Sequence, residues 1–391
     1  MSSRSPSGTR SCAARVGERG FTLIEFMVAM AVGAIIIAFV FLVSSNMTAG
    51  FREQNRASAA IQTVRNVSAV ISADLRQAGY LVSNGFRTAA WGTPADVVPA
   101  FSVLNNADGS GPDQINVYYA DASAGGRVTA IDLLATQYAD VDGADGLLVG
   151  DLAVMVNGDV DIDLDGNVFG TYTACVVQIT AIDDADPDRV HFDDSAPPVN
   201  TADNAHCADV LAAHAADGAS PDTLLYRFVG RSYRIDPTRK EMSVLQASPS
   251  GRLVADDWAD VAVGVTNIQA ATQFYESADA ANDPDGDGDP ARDWYSAEAQ
   301  EFPDLTLTRP TPSVAARVTL SLEARTPTKN PVQPITQAFT GAPVEYNPIG
   351  DWDGVPIAGV PDASRPAAYR GDNVYRWLSE QIDMRNMAVA P

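Results

Sequence analysis

The sequence predicts an α+β protein, in which a long N-terminal α-helix packs on an antiparallel β-rich globular domain with long loops. Two observations predict this class. No proline occurs between Phe21 and Tyr80, and strand-like segments rich in Val, Ile, Tyr and Thr follow, separated by Pro, Gly, Asp and Asn. These segments do not alternate with helices, which argues against a doubly wound parallel sheet. We therefore divide the chain into residues 1–20, 21–80 and 81–391.

The first half of the helix is apolar enough to cross a membrane. Residues 1–20 are polar and basic, with four arginines against one acid, and residues 21–43 contain a single charge, Glu25. At about 1.5 Å per residue, this run spans a hydrocarbon core of roughly 30 Å. Since basic residues favour the cytoplasmic side, the rest of the chain should lie across the membrane.

Two simpler interpretations of this run compete. A cleaved secretory signal has an apolar region of about 7–15 residues that ends in an Ala-x-Ala-like site. Residues 21–43 are longer, and no such site follows them. A plain membrane anchor leaves Glu25 unexplained, because an acid within a span costs about 2–3 kcal/mol or more and usually marks function.

Beyond residue 43 the helix becomes amphipathic. Apolar residues recur at helical spacing, which predicts one stripe buried against a sheet, while Arg52, Gln62 and Asp74 fill the polar face. Gly79 is suited to end the helix, since glycine accepts a left-handed backbone. The stripe consists of Phe51, Ile61, Val64, Val67, Ile71, Leu75 and Ala78.

The globular part is predicted from short strands. Residues 224–235 and 241–246, joined through residues 236–240, form a predicted hairpin. The segments 183–223, 277–316 and 326–372 are rich in Asp, Pro and Ala, and we expect long exposed loops there. The predicted strands are residues 114–120, 128–134, 147–157, 175–182, 224–235, 241–246, 261–275 and 317–325.

Composition restricts the partners. Among 391 residues there are 26 Lys and Arg against 50 Asp and Glu, which gives a net charge of −24. Such an acidic chain is a poor nucleic-acid binder, because phosphate contacts need clustered basic side chains. Apolar residues make up 46%, which is enough for a core.

The residues Gly20-Phe21-Thr22-Leu23-Ile24-Glu25 resemble the processing site of type IV pilins and type II secretion pseudopilins. The resemblance implies that a prepilin peptidase cuts between Gly20 and Phe21 and methylates the new amine of Phe21. It also implies that Glu25 forms the assembly salt bridge. A buried carboxylate needs a partner, and the amine of a neighbouring subunit would supply one in a fibre core of low dielectric constant.

Within that class the sequence is similar to the PilW-type minor pilins. The similarity is strong over residues 17–80 and patchy afterwards, through residues 149–154, 176–180, 273–275 with 283–288, and 383–386. It implies a pilin-like fold and a protein without enzymatic activity or required cofactor. It further implies a minor pilin that primes type IV pilus assembly, sits in the tip complex, and supports adhesion and twitching motility.

The implied partners and locations follow from the same resemblance. They are other minor pilins, the major pilin, prepilin peptidase, a tip adhesin and the inner membrane, with no nucleic acid. The chain would be a single-pass inner-membrane protein with its C-terminal domain in the periplasm before assembly. After assembly it would lie in a cell-surface pilus.

Two other functions remain open. A J-type minor pseudopilin of a type II secretion system would share the N-terminal motif, although such proteins are usually much shorter. A membrane-tethered periplasmic enzyme would need catalytic residues, but the sequence has no His-Glu-x-x-His and no Gly-x-Ser-x-Gly. His206 and His214 beside Cys207 offer zinc ligands, against the alternative that they are ordinary loop histidines.

Two aspartate-rich loops have calcium-loop spacing. Alternating carboxylates followed by glycine place several oxygens around one sharp turn, and their like charges repel without a cation. The alternative is a solvated acidic turn, and neither loop has Glu at the twelfth position. The candidate ligands are Asp283, Asp285, Asp287, Asp289 and Asp293, and, more weakly, Asp161, Asp163 and Asp165.

The cysteines suggest one disulfide. Cys12 would be lost with the leader, which leaves Cys175 and Cys207 on the oxidising side of the membrane. A bridge closing this loop would stabilise the fold by roughly 3–4 kcal/mol. The alternative is two free thiols.

Overall fold

The long helix predicted from the sequence is present as α1, Leu23–Gln77, 55 residues long. A turn follows, in which Gly79 has a φ of 81°, so glycine ends the helix as predicted. In this computed structural model the described residues are 22–83, 85–90, 97–104, 112–133, 136–158, 161–162, 168–169, 172–194, 199–201, 204–218, 222–239, 243–253, 257–275, 294–295, 314–325 and 375–384.

The chain divides into two units, residues 1–55 and 56–391, which we describe separately. In the first unit, the described residues after Thr22 belong to α1, and large apolar side chains such as Ile35, Phe39 and Phe41 are exposed. By length and composition this helix could cross a membrane, and the residues of its apolar stretch are exposed in the chain.

The second unit is rich in strands, most of them antiparallel. The strands are β1 Phe86–Arg87, β2 Val97–Val98, β3 Phe101–Leu104, β4 Gln114–Asp132, β5 Tyr138–Asp142, β6 Leu152–Gly158, β7 Asp161–Ile162, β8 Val168–Phe169, β9 Tyr172–Gln178, β10 Ala181–Ile182, β11 Arg189–His191, β12 Thr223–Ile235, β13 Val244–Ser248, β14 Ala259–Val263, β15 Val265–Tyr275, β16 Trp294–Tyr295, β17 Val314–Arg325 and β18 Tyr375–Asp383. One short helix, α2, covers Ala208–Asp217.

Among the described residues, these strands form one large and two smaller sheets. The large sheet has the order β10-β11-β5-β4-β12-β6-β9-β1-β2, with β3 beside β4, and β13 and β14 extending from β12. A second sheet has the order β16-β15-β17-β18, and β7 pairs with β8. The one parallel pair among the named strands is β1 with β9, through Arg87 and Cys175. Together, the long apolar helix and the antiparallel sheets confirm the α+β class.

The large sheet has an apolar core on each face. Along β6, Val154 and Val156 belong to one core and Ala153 and Met155 to the other, as expected for side chains that alternate across a strand. The first core also contains the buried stripe of α1. Its members Val64, Val67, Ile71, Leu75 and Ala78 are buried as predicted, while Phe51 is exposed. The second core contains Val210 of α2.

Most predicted strands are confirmed, and one expected loop is wrong. The hairpin of β12 and β13 pairs Ile235 with Leu245. Residues 114–120 and 128–134 were expected to be separate strands, yet β4 runs through both. Segment 183–223 contains β11, a 3-10 turn at Ala205–Cys207, and α2. Its alanines favour helix, and packing on the sheet stabilises that helix. The other two expected loops lie largely outside the described residues.

Candidate functional site

The predicted assembly acid lies in the first turn of α1. The N–H of Thr22 donates to Oε2 of Glu25 at 3.1 Å, and the Thr22 hydroxyl donates to the same oxygen at 3.1 Å. The N–H of Glu25 donates to Oγ1 of Thr22 at 3.3 Å. This reciprocal arrangement is a capping box, which satisfies N–H groups at the start of the helix. A carboxylate here is also favoured by the helix dipole.

The sequence analysis did not assign a role to Thr22. The spacing Thr-x-x-Glu ahead of an apolar run is the signal that identifies a capping box. The structure thus gives Glu25 a partner within its own chain, whereas the sequence analysis assigned it a partner only in a neighbouring subunit. Both hydrogen bonds to the carboxylate use Oε2, so an amine from another molecule can approach Oε1 while the cap persists.

The surroundings of Glu25 are apolar. Leu23, Ile24 and Phe26 are 79%, 70% and 61% exposed in the chain. When such side chains pack in an apolar environment, the charge of Glu25 loses its water and requires a counter-charge. Gly20 and Phe21, the residues predicted to supply the cleavage site and the amine, lie outside the described residues.

Comparison with known proteins supports the same class. Residues 15–41 match the family described as Prokaryotic N-terminal methylation motif. The match includes Gly20, Phe21 and Glu25, and it supports a type IV pilin-like protein. No curated protein and no solved structure matches the chain.

The motif also bears on location and partners. It implies processing by prepilin peptidase and assembly with other pilins in a membrane system. Together with the apolar first half of α1, it indicates a membrane-anchored pilin-type protein. Proteins with this motif are generally not enzymes.

Within the second unit, a carboxylate of β18 holds the later part of α1. Glu380 accepts hydrogen bonds from the hydroxyls of Ser68 at 2.7 Å and Ser72 at 3.2 Å, and forms a 3.2 Å ion pair with Arg76. The three donors follow one another at intervals of four residues, so they lie on one face of the helix. Ser68 and Ser72 are buried, whereas Arg76 is exposed. The hydroxyl contacts therefore contribute more to the attachment than the ion pair does.

A second contact has the opposite arrangement, with the carboxylate on α1 and the hydroxyl donors on the sheet. Asp74 lies on α1 and accepts hydrogen bonds from the hydroxyls of Tyr119, at 3.0 Å, and Tyr233. Burial raises the pKa of both tyrosines, and the nearby carboxylate raises it further, so both hydroxyls remain donors at physiological pH. Sequence periodicity placed Asp74 on the polar face. The helix nevertheless uses it as a contact to the sheet, because two strands present hydroxyl donors there.

The predicted cysteines are brought together. Cys175 of β9 and Cys207 form a disulfide with a Cα–Cα distance of 5.2 Å, and both residues are buried in the second core. The bridge joins the segment that carries α2 to the large sheet.

The histidines near this bridge have other partners. Nε2 of His206 lies 2.9 Å from the carbonyl oxygen of Val176, and Nδ1 of His214 lies 2.8 Å from Oγ1 of Thr223. Burial lowers the pKa of His214 below its usual range. Among the residues that the structure describes, no group of three His, Cys, Asp or Glu side chains is placed to hold a metal ion.

The predicted calcium ligands fall mostly outside the described residues. These are Asp163, Asp165, Asp283, Asp285, Asp287, Asp289 and Asp293. Asp161 lies in β7, where its backbone pairs with Phe169. In the chain, the 283–293 segment falls between β15 and β16, which pair through Gln273 and Trp294.

Proposed function

We propose that this protein is a PilW-type minor pilin that helps prime type IV pilus assembly and sits in the pilus tip complex, supporting adhesion and twitching motility. The observation that carries the proposal is the methylation motif over residues 15–41, at the head of a 55-residue helix. The finer assignment rests on the similarity of residues 17–80 to that group. The other minor pilins, the major pilin and a tip adhesin are its proposed partners.

The proposed mechanism begins at the cytoplasmic face of the inner membrane, with the later domain in the periplasm. Prepilin peptidase removes residues 1–20 and methylates the amine of Phe21, which keeps its positive charge. Thr22 holds the Glu25 carboxylate at the helix start before assembly. In the fibre, Glu25 receives the charged amine of a neighbouring subunit, which compensates the loss of water.

The first test is processing and incorporation. N-terminal sequencing of the mature protein should begin at Phe21, and an intact Met1 would exclude the proposal. Glu25→Ala should leave cleavage unchanged but reduce the amount of the protein in sheared fibres. Thr22→Ala is the matched control, because it removes the cap and keeps the charge; it should have the smaller effect. Equal incorporation of wild type and Glu25→Ala would contradict the role of Glu25.

The second candidate is a J-type minor pseudopilin of a type II secretion system, which the same motif fits. Deletion of the gene distinguishes the two candidates. Loss of twitching with normal protein secretion supports the minor pilin. Loss of secretion with normal twitching supports the pseudopilin.

We further propose calcium binding by Asp283, Asp285 and Asp287, completed by Asp289 or Asp293, and a weaker site at Asp161, Asp163 and Asp165. The support is the spacing of these residues. Calorimetry should give heat with calcium for the wild type, and less heat after Asp285→Asn with Asp287→Asn. Asp184→Asn with Asp186→Asn provides a control of equal charge change. Absence of heat and of a thermal shift up to about millimolar calcium would exclude both sites.

A further inference from the structure

The turn between β5 and β6 presents two large apolar side chains to water. Leu148 and Val149 are 63% and 61% exposed, whereas the preceding Leu147 is buried in the second core. We call Leu148 and Val149 the apolar knob. Single exposed apolar residues are common on protein surfaces and need no explanation. Two adjacent ones that are also held in place are a stronger indication of a contact surface.

Hydrogen bonds hold the knob in place. Asp151 closes the turn, since its N–H donates to the carbonyl of Leu148 at 3.0 Å and its carboxylate accepts from the N–H of Leu148 at 3.0 Å. The turn is also joined to the chain that follows β9. The N–H of Gly150 donates to the carbonyl of Ile179 at 2.8 Å, and the N–H of Ile179 donates to that of Asp151 at 2.9 Å. The exposure of the knob is therefore a property of a fixed turn.

The backbone that flanks the knob depends on glycine. Gly146 and Gly150 have φ angles of 83° and 95°, in the region that L side chains rarely adopt. A side chain at Gly150 would meet no atom within 4 Å, so glycine is required there by its backbone conformation rather than by crowding. The turn thus combines two glycines, a capping aspartate and a buried leucine, all of which keep Leu148 and Val149 pointing away from the core.

A second exposed apolar pair lies on a strand and not on a turn. Val261 and Val263 lie on β14, whose one partner among the described residues is β13. The pairing is interrupted by a register shift beside Leu245, which places Val261 at an irregularity. Irregular edges of this kind discourage pairing with another chain. The apolar knob lies on a turn and not on a sheet edge, so a partner would contact its side chains and would not pair with its backbone.

Charge indicates the chemistry of the partner. Asp142 and Asp145 are exposed beside the turn, and the chain as a whole carries a net charge of −24. Anionic lipid and a second copy of this acidic chain would both be repelled. A protein surface with an apolar socket edged by Lys or Arg complements both the side chains and the charge.

We propose that the apolar knob docks this protein onto another subunit of its assembly, by inserting Leu148 and Val149 into an apolar socket edged by Lys or Arg. The identification of the partner as a pilin-type subunit rests on the proposed function. The existence of the contact rests on the turn itself.

Photocrosslinking of the full-length chain in cells tests this contact. Benzoylphenylalanine replaces Leu148, or Ala185 as the matched control. Ala185 is exposed in a turn flanked by Asp184 and Asp186, so it shares the acidic setting without the apolar pair. Crosslinked peptides are mapped by mass spectrometry. We expect position 148 to crosslink to one pilin-type subunit at an apolar site bordered by basic residues, and position 185 to give no such product.

Variants complete the test. Leu148→Ser with Val149→Ser should lower the amount of the protein in sheared fibres about tenfold, the effect of losing a contact of hot-spot strength. Leader removal and the circular dichroism spectrum should stay unchanged. Asp145→Lys should reduce crosslinking from position 148, because it places positive charge against a basic rim.

The outcomes separate the two proposals. Equal crosslinking from positions 148 and 185, crosslinking to lipid or to a second copy, or unchanged fibre content of the double variant would overturn the knob contact. If the wild type is absent from fibres, and position 148 still crosslinks to a basic-rimmed apolar site on another envelope protein, the contact is supported and the minor-pilin function is not.

Discussion

The two faces of the large sheet are covered by helices of very different kinds. On one face, α1 contributes a stripe that includes Ile71 and Leu75, in a core that also contains Tyr118 and Phe228. On the other face, α2 is 10 residues long, and Val210 is its one fully buried residue. The first helix is attached by its apolar stripe and by carboxylate–hydroxyl contacts, whereas a disulfide ties the second to the sheet.

This difference shows how the length of a helix determines what holds it. A stripe that extends over about four turns buries enough apolar area to stabilise a helix by packing. A helix of fewer than three turns has little apolar area to bury. The disulfide therefore supplies the rest of its stabilisation, by restricting the unfolded chain. Four experiments test this difference between the two faces, and they follow in order of decreasing expected effect.

The largest effect is expected from removing the disulfide. Cys175→Ser with Cys207→Ser should lower the free energy of unfolding by about 3–4 kcal/mol, because the loop of 32 residues is no longer closed. Hydrogen exchange should show loss of protection in α2 before loss in α1. Equal loss of protection in both helices would contradict the distinction between the two faces.

Truncation within the α1 stripe is next. Ile71→Ala should lower the free energy of unfolding by about 3 kcal/mol, because it removes buried methyl groups and leaves a cavity. Chemical denaturation of the full chain in detergent measures the change. Val70→Ala, at a neighbouring and 49% exposed position, is the control and should change stability by less than about 0.5 kcal/mol. If the two substitutions lower the free energy of unfolding equally, burial of the stripe does not stabilise α1 more than its exposed face does.

The polar attachment of α1 should contribute less. Glu380→Gln should cost about 1–2 kcal/mol, because Ser68 and Ser72 lose a charged acceptor while the shape is kept. Arg76→Gln should cost less than about 0.5 kcal/mol, since its pair with Glu380 is exposed. The same unfolding experiment compares the two variants. If the Arg76 variant is as destabilised as the Glu380 variant, the serine hydroxyls do not contribute more to the attachment than the ion pair does.

The smallest effect is a pH dependence confined to the α2 face. Burial lowers the pKa of His214 in the folded chain, so below about pH 6.5 the unfolded chain binds a proton that the folded chain does not. Stability should therefore fall as the pH falls through that value. His214→Gln should flatten the slope of the unfolding free energy below about pH 6.5. Identical slopes for the variant and the wild type would contradict this prediction.

The sequence predicted elements whose signal is local and repeated. The α1 stripe was predictable because its apolar residues recur at helical spacing, and the hairpin of β12 and β13 because a Pro-containing turn separates two strand-like runs. By contrast, α2 was missed because the many aspartates and prolines of the whole 183–223 segment predicted a loop, although the alanines of α2 itself favour helix. Its stability depends on Cys175, which lies 32 residues from Cys207.

The candidate functional site was also predicted only in part. Glu25 stands out because it is a lone charge in an apolar run, and the family match covers it. The contacts of Asp74 and Glu380 could not be predicted, because their partners are distant in the chain: Ser68 and Glu380 are separated by 312 residues. A single sequence carries no periodicity that connects residues so far apart.

That separation also affects the order of events during biogenesis. The serine hydroxyls of α1 gain their carboxylate only when β18 has been synthesised and paired with β17. Contacts between such distant residues form late, because a long loop must close first. In a nascent chain, the N-terminal helix is therefore available to the membrane insertion machinery early. The folded domain binds the turns that carry Ser68 and Ser72 only later. Membrane insertion and folding can thus follow one another without competing for the same segment.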